Sequence, residues 1–337
     1  MDNQFQENAI FICGHRKTGT TLMLNLLDNH PQLSVFPVDS NFFYKCYPIC
    51  FDQNYSTEEI LDVIKNGVIK QLLNDYDKFS SADKADLNFN FENFQRDFME
   101  LQTTPLSPKN LLSALSFSFK KNFKNLSTQK KWVEKTTSTE IYATDIFNWF
   151  PNAKFIHIIR DPRDNWASLK SGWHFRYEKF NESSNQLLQS LIDRGKLGME
   201  LAIHNVSLFG KERYKVIKYE DLGNKPKTIM RDICDFLNIE FDPIVLTPTI
   251  MGKPWKGNNF DGLEFNEISN VNVGNWKQRI DSKEAMLVEY HFQDLMSHFD
   301  YPLNYSLHER VSAAKEHYKW FNFSQSNSYS QEKDLGV

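Results

Sequence analysis

The sequence predicts an α/β protein: a mostly parallel sheet flanked by helices, with a phosphate-binding loop and helical insertions that cover a substrate cleft. Three observations carry this prediction. Short apolar runs alternate with longer amphipathic stretches, which is the pattern of strands joined by crossover helices. A loop framed by glycines, GHRKTGTT at residues 14–21, follows the first apolar run. The polar motifs begin where strands are predicted to end, at the edge where such sheets bind ligands.

The first half of the chain is predicted to hold two strands and three long helices. In order they are a strand at AIFICG (9–14), a helix at TTLMLNLLDNH (20–30), a strand at LSVFP (33–37), and amphipathic helices over 57–75 and 108–125. The last two helices fall within an insertion of about 45–125. We expect this insertion to form a helical subdomain over the substrate.

The second half continues the alternation. Strands are predicted at KWVEKT (131–136), KFIHIIRDP (from Lys154) and YKVIKYEDL (from Tyr214), with helices over 139–150, from Pro162, and up to about Asn238. We expect residues 1–322 to form a single domain. The polar stretch 323–337 is expected to be a flexible tail.

Composition limits the classes of partner. The 337 residues are 40% hydrophobic and include 28 phenylalanines, so aromatic packing is expected to dominate one large or two modest cores. A formal net charge of -4 gives no overall basic field, which argues against a nucleic-acid partner. An anionic ligand would need a local pocket.

Few features of the sequence indicate the cellular compartment of the protein. Four cysteines are expected to be free, buried thiols in a reducing compartment. No stretch approaches the roughly 20 apolar residues of a membrane span. These patterns predict a cytoplasmic protein without a transmembrane anchor, and an oligomer is possible.

The loop at residues 14–21 raises the first chemical question. In nucleoside-triphosphate enzymes a lysine follows the second glycine, but here Thr20 follows Gly19 and the lysine, Lys17, lies inside the loop. Backbone N–H groups, the helix dipole and the threonine hydroxyls still make an anion site. Lys17 could neutralise charge on a bridging oxygen, which suits a reaction whose leaving group contains the phosphate. The alternative is a simple glycine turn.

A second anion-binding candidate ends the buried strand at IIRDPRDNWASLKSG. Arg160 could grip a phosphate through two N–H groups, and Ser168 follows eight residues later. The alternative is that Arg160 pairs with Asp161 or Asp164 in a surface network.

Taken together, RKTGTT, IIRDPRDNWASL, YEDL and NVGNWKQRI occur in an order that resembles the sulfotransferases that use 3′-phosphoadenosine 5′-phosphosulfate. The resemblance covers residues 9 to about 280. Leu22 stands where the cytosolic small-molecule branch has a tryptophan, and neither His15 nor His30 is placed by a motif as that branch's base. The chain is therefore closer to the bacterial, carbohydrate and protein-tyrosine branches.

The resemblance implies two groups of donor-binding residues. Those for the 5′-phosphosulfate are Arg16, Lys17, Thr18, Gly19, Thr20 and Thr21, and those for the 3′-phosphate are Arg160 and Ser168. Tyr219 is implied to contact the adenine. A late segment containing Gly274, Trp276 and Lys277 is implied to close over the 3′-phosphate.

Three residues are candidates for the transfer step. Asp39, in HPQLSVFPVDSNFFYK, matches the slot of the family's catalytic glutamate, with a turn or cap residue as the alternative. At the end of a strand, Lys135 is implied to hold the transferring group and Glu134 is the fallback base; the alternative is an exposed pair. Lys17 would protect the leaving phosphate. No metal is expected, because no cluster of ligands shows metal-site spacing.

The predicted reaction is in-line transfer of a sulfuryl group to an acceptor hydroxyl or amine. The acceptor is expected to be a small molecule, glycan or lipid. Residues 45–125 and 172–205 are predicted to line its site, with Trp173, His174 and Phe175 as wall residues. The alternatives are a phosphate-loop small-molecule kinase and a non-catalytic nucleotide-binding protein of the same fold.

Overall fold

The computed structural model describes residues 3–102, 105–123, 129–173, 184–258, 264–265 and 267–317. The chain divides into two compact units, which are described separately below. The first comprises Met1–Arg160 with Gly198–Asn270, and the second comprises Asp161–Leu197 with Val271–Val337. A single domain over 1–322 remains a prediction, and the predicted tail at 323–337 lies outside the described residues.

The first unit is built on a five-stranded parallel sheet, as predicted. Its strands are β1 (Ala9–Cys13), β2 (Leu33–Asp39), β3 (Lys131–Lys135), β4 (Lys154–Ile159) and β5 (Tyr214–Lys218), in the order β2-β3-β1-β4-β5. β1, β2 and β4 are mostly apolar because both faces of the sheet are covered there, whereas β3 (KWVEK) and β5 (YKVIK) also carry charged residues. The mostly parallel α/β class is confirmed.

The strand order fixes where a ligand can bind. In the strand order, the connection from β1 leads to β2 at one edge of the sheet, whereas the connection from β4 leads to β5 at the opposite edge. Connections that diverge in this way leave a crevice at the carboxyl ends of the two strands. The loop after Cys13 and the residue after Ile159 flank this crevice.

The helices of the first unit cover both faces of the sheet. They are α1 (Asn3–Glu7), α2 (Thr20–Leu27), α3 (Phe42–Lys45), α4 (Ile49–Asp52), α5 (Thr57–Ile64), α6 (Lys70–Tyr76), α7 (Ser81–Leu87), α8 (Phe91–Glu100), α9 (Pro108–Asn122), α10 (Ala143–Trp149), α14 (Tyr219–Asn224) and α15 (Pro226–Leu237). A two-stranded hairpin pairs β6 (Thr249–Ile250) with β7 (Lys253–Pro254). Helix α13 (Lys196–Phe209) begins in the second unit and continues into the first.

The insertion between β2 and β3 is helical, as its sequence pattern predicts. Helices α5 and α6 are joined by a π-helical turn over Lys65–Ile69, so the predicted helix over 57–75 is continuous. Ser56 and Glu59 form a capping box at its start. Helix α9 begins with the Ser107 cap followed by a proline, the start signal read in the sequence.

The second unit contains α11 (Pro162–Ser171), α12 (Ser184–Ser190), α16 (Trp276–Arg279) and α17 (Ser282–His298). Its centre holds Arg163, 1% exposed, which donates to Asp161 and to Glu289 at 2.6 Å each. A buried guanidinium is tolerated when its N–H donors are all matched by acceptors. This pairing fixes α11 against α17.

Aromatic rings dominate the core of the first unit. Phe11 at the centre of the sheet stacks on Phe155 with ring centroids 5.4 Å apart and meets Trp132 edge-on at 5.5 Å. Pairs of this geometry add to the stabilisation from area burial alone. Among the described residues, no helix combines the length and apolar character needed to cross a membrane.

Candidate functional site

The loop between β1 and α2 forms the centre of the candidate site. Helix α2 starts at Thr20 after Gly19, and no side chain caps its first turn. The first N–H groups of a helix have no partner within the helix, and they carry the positive end of the helix dipole. The loop therefore presents an anion-binding helix start at the crevice.

Two glycines are required for the loop's shape. Gly14 has φ 133°, and a Cβ there would lie 2.3 Å from the carbonyl oxygen of Ile158. Gly19 has φ 106°, and its Cβ would lie 2.6 Å from the Tyr219 ring. Both positions exclude a side chain by conformation and by space. The spacing of the two glycines in GHRKTGTT is thus explained by two positions in the loop that have no room for a side chain.

Inside the loop, Lys17 adopts φ 68°, which is unusual for a residue with a side chain. Its ammonium donates to the carbonyl oxygen of Asn258 at 3.1 Å. Thr18 is buried, and its hydroxyl donates to the carbonyl of His15 at 2.7 Å. Thr18 thereby shapes the loop, which leaves the backbone and Lys17 to face a ligand.

Arg160 joins the second anion motif to this loop. Its Nη1 donates to the carbonyl oxygen of Lys17 at 3.0 Å, and its guanidinium lies 4.5 Å from the centroid of the Tyr219 ring. The same ring closes against Gly19. Stacking holds the planar guanidinium in one orientation. The structure therefore brings Lys17, Gly19, Arg160 and Tyr219 together, as the motifs predict.

A buried polar cluster lies behind the loop. Gly14 N–H donates to Glu140 at 3.0 Å, His157 Nδ1 lies 2.8 Å from the Tyr214 hydroxyl, and ligand atoms of Cys13, Glu140 and His157 lie within 4.8 Å of one another. The fold thus brings together, from separate segments, side chains of metal-ligand type whose spacing in the sequence gives no sign of a cluster. Burial lowers the pKa of His157 to about 3, and burial followed by the Glu140 charge raises the pKa of Cys13 well above its usual value.

The polar atoms of this cluster already have partners within the protein. Glu140 accepts from the Gly14 N–H, His157 Nδ1 lies at hydrogen-bond distance from the Tyr214 hydroxyl, and Cys13 Sγ lies 3.7 Å from the same hydroxyl. The contacts that the cluster makes hold the first turn of the loop. Its residues fit a structural network better than a metal centre.

Asp39 and Lys135 meet at the carboxyl ends of β2 and β3. Lys135 Nζ donates to Asp39 Oδ2 at 2.9 Å, with the lysine side chain 6% and the aspartate 26% exposed. The neighbouring Phe42 and Phe43 are buried in the core. Asp39 thus reaches solvent while a buried cation holds its carboxylate. The structure thus brings together two residues that the sequence proposes separately as catalytic candidates.

Glu134 points to the opposite face from Lys135, as successive strand residues must. It is 2% exposed, and its Oε1 accepts hydrogen bonds from the hydroxyls of Ser40 and of Thr136, the latter at 2.6 Å. Its Oε2 is buried without a partner among the described residues. Burial raises the pKa of Glu134 to about 7, assisted by the Asp39 charge and opposed by the two hydroxyls and Lys135.

The remaining predicted donor-binding residues lie in the second unit. Asp164 on α11 accepts from the backbone N–H groups of Gly274 at 2.6 Å and of Trp276 at 2.8 Å. Arg163 lies over the Trp276 ring at 4.4 Å. Ser168 is on the same helix and half-buried, and Lys277 is exposed. The helix with Ser168 and the segment with Gly274, Trp276 and Lys277 are therefore held together.

The other predicted residues are described by their position and burial. Arg16 and Thr21 are half-buried at the loop and the start of α2. Trp173 follows α11, while His174 and Phe175 lie outside the described residues. The alternative for Arg160 was an ion pair with Asp161 or Asp164. In the structure Asp161 binds Arg163, and Asp164 accepts from backbone N–H groups.

Sequence reasoning missed several supporting residues. Ser40 and Thr136 flank Glu134, Glu140 receives the Gly14 N–H, and Glu289 completes the partners of Arg163. Ser40 directly follows Asp39, so the candidate slot contained a usable signal. Glu140 lies five residues after Lys135, and Glu289 lies nine residues after the end of NVGNWKQRI, but no local pattern marks either.

Comparison with known proteins agrees with this geometry. A model described as "Sulfotransferase family" matches residues 9–243, which is more than half of the chain. No curated protein matches the chain significantly.

Two solved structures share the fold. The sulfotransferase domain of the Synechococcus PCC 7002 olefin synthase is 19% identical with a TM-score of 0.51, covering 88% of this chain and 96% of that one. The sulfotransferase domain from the curacin biosynthetic pathway is 20% identical with a TM-score of 0.52, covering 87% and 98%. The chain therefore belongs to the sulfotransferase family, and it is an enzyme that moves a sulfuryl group from 3′-phosphoadenosine 5′-phosphosulfate to an acceptor.

Proposed function

We propose a division of labour for this transfer in which the loop after β1 binds the 5′-phosphosulfate, Arg160 and Ser168 bind the 3′-phosphate, and Asp39 accepts the acceptor's proton. The observation that carries the proposal is the bond from Arg160 to the Lys17 carbonyl. It holds the Arg160 guanidinium against the backbone of the loop that carries Lys17, and the donor carries two separate anionic groups.

Lys17 is the residue assigned to the leaving group. When the sulfuryl group departs, negative charge develops on the bridging oxygen of the 5′-phosphate, and a nearby ammonium stabilises it. The bond to Asn258 is made to a neutral carbonyl, and an anionic phosphate is a stronger acceptor for an ammonium group. The displaced position of this lysine suits a donor without a triphosphate.

Exposure decides between the two candidate bases. A base must come within hydrogen-bond distance of the proton that it removes, and Asp39 is 26% exposed whereas Glu134 is 2% exposed with two hydroxyl partners. We therefore assign the base to Asp39 and a positioning role to Glu134, which fixes Ser40 beside Asp39. Lys135 donates to the Asp39 carboxylate. We also assign to it the binding of the sulfuryl oxygens during the transfer.

The proposed reaction is in-line and metal-free, with cationic side chains supplying the charge that a metal would supply elsewhere. The acceptor is proposed to be a small molecule, glycan or lipid that offers a hydroxyl. Oligomeric state and a cytoplasmic location remain predictions from the sequence.

Calorimetric titration with 3′-phosphoadenosine 5′-phosphate tests the donor assignment. We expect saturable binding by the wild type, a loss of at least about tenfold in affinity in Lys17→Ala and in Arg160→Ala, and little change in Lys70→Ala, where the side chain is exposed. Titration with ATP and magnesium tests the kinase alternative. Binding of ATP with no binding of the bisphosphate would overturn the proposal.

Single-turnover release of the bisphosphate from the donor, in the presence of an acceptor found by screening, tests the base. Asp39→Asn should slow release while leaving bisphosphate affinity unchanged, because the carboxylate acts on the acceptor. Glu134→Gln should have the smaller effect. The reverse order of effects would assign the base to Glu134.

A further inference from the structure

A second cation-lined cavity lies at the opposite edge of the sheet from the phosphate loop. It has a volume of about 290 Å³ and is formed where β1, β3 and β4 begin and where α15 ends. All its lining residues belong to the first unit. In a parallel sheet the amino ends of the strands share one edge, so this cavity is separate from the crevice described above.

Three cations line the cavity, and no lining residue is acidic. Lys131 begins β3, Lys154 begins β4, and Arg213 directly precedes β5. The register of the strands places these cations side by side. Lys154 lies opposite Ile10 of β1, and the next residue, Phe155, pairs with Tyr214, which directly follows Arg213. None of the three cations forms an ion pair with any carboxylate in the part of the chain that the structure describes.

The hydrogen-bond partners of these cations are backbone carbonyl groups, and Lys154 and Arg213 also lie over the rings of Phe236 and Phe147. Lys131 donates to the carbonyls of Leu237 and, at 2.8 Å, of Asn238. Lys154 donates to the carbonyl of Phe236, and Arg213 donates to that of Pro151 at 2.8 Å. Arg213 Nε is buried and has no partner among the described residues. Several N–H donors of the three cations therefore remain for a ligand.

Capping of α15 accounts for only part of this charge. The carboxyl end of a helix carries about half of a negative charge, so one lysine is enough to compensate it. Three cations leave a surplus of about two positive charges at the cavity. Burial lowers the pKa of both lysines, and the charge of Lys154 lowers that of Lys131 further. A bound anion would relieve this repulsion.

We infer that this cavity binds an oxyanion of the phosphate or sulfate class that carries two or more negative charges. The volume of about 290 Å³ is far above the roughly 10–15 Å³ that a single water molecule needs on this measure, so it admits more than one tetrahedral group. No aromatic ring lines it, which argues against a nucleobase. Inorganic diphosphate is the simplest probe that matches both the size and the charge.

Calorimetric titration with inorganic diphosphate tests the site. The Arg160→Ala variant serves as the background, because it weakens any binding at the donor crevice. We expect saturable binding in this background, weakened at least about tenfold when Lys131→Gln and Lys154→Gln are added. Lys65→Gln with Lys70→Gln, which removes the same charge from exposed positions on the first unit, should leave binding unchanged.

Two further variants separate binding from folding. Lys131→Arg with Lys154→Arg keeps both charges and should keep the affinity, whereas Arg213→Gln should weaken it without touching the end of α15. Titration with inorganic phosphate and with sulfate then distinguishes which oxyanion the cavity prefers. Two results would overturn the inference: no saturable diphosphate binding, or binding that disappears in Arg160→Ala and survives in the lysine-to-glutamine pair.

Discussion

Glu134 offers a prediction whose size follows from the structure. Its carboxyl group is 2% exposed, and burial raises its pKa from the ordinary value of 4.5 to about 7. Below pH 4.5 the group is neutral in the folded and the unfolded chain. Between pH 4.5 and 7 the unfolded chain loses this proton while the folded protein keeps it. Stability must therefore fall as pH rises through this window.

The fall in stability has a definite magnitude. A difference between 4.5 and about 7 corresponds to about 3 kcal/mol at 1.36 kcal/mol per pH unit. Glu134→Gln removes this titration and keeps a carbonyl oxygen for Ser40 and Thr136. The unfolding free energy of the variant, relative to wild type, should rise by about 3 kcal/mol between pH 4 and pH 8.

Urea unfolding measured at intervals from pH 4 to pH 8, by circular dichroism and by tryptophan fluorescence, gives this difference directly. Subtracting the wild-type curve cancels the titration of all other groups. Glu92→Gln, at an exposed position, controls for the loss of one carboxylate. Parallel curves for wild type and Glu134→Gln would refute the reasoning, because they would mean that the buried carboxyl does not retain its proton.

Three other changes have expected outcomes. Gly19→Ala places a Cβ 2.6 Å from the Tyr219 ring at a φ of 106°, so calorimetry should show loss of bisphosphate binding while circular dichroism stays unchanged. Arg163→Met leaves the fully buried Glu289 without its cation, which should cost about 3–5 kcal/mol in urea unfolding; adding Glu289→Met should recover part of that loss. Asp164→Ala removes the acceptor of two backbone N–H groups and should cost about 1–3 kcal/mol, and equal stability of variant and wild type would contradict this.

The sheet was predictable because its strands are buried on both faces. AIFIC and KFIHII are continuous apolar runs with turn signals after them, and they form β1 and β4. The helix starts were predictable for a similar reason, since Ser-Pro before α9 and Asp-Pro before α11 are local signals. By contrast, the π-helical turn at Lys65–Ile69 has no local pattern, because packing rather than propensity decides it.

The meeting of Lys17 and Arg160 was predictable from motifs, and the surroundings of Asp39 and Glu134 only in part. Lys17 and Arg160 lie at strand ends that the sheet brings together. The burial of Glu134 could not be read from KWVEKT, because only Thr136 among its two hydroxyl partners belongs to that stretch and Ser40 comes from the end of β2. For the same reason, Cys13, Glu140 and His157 gave no sign of meeting.

The two buried titratable groups beside the cleft act differently, and the difference bears on how the enzyme responds to pH. His157 has a pKa near 3, so at neutral pH it stays uncharged and the network behind Gly14 keeps one state. The anion-binding loop therefore keeps a constant shape. Glu134 has a pKa of about 7, and its ionisation adds a negative charge close to Asp39. That charge opposes the folded state, which loses stability as pH rises from 4.5 to about 7. Of the two groups, only Glu134 therefore changes its charge near neutral pH.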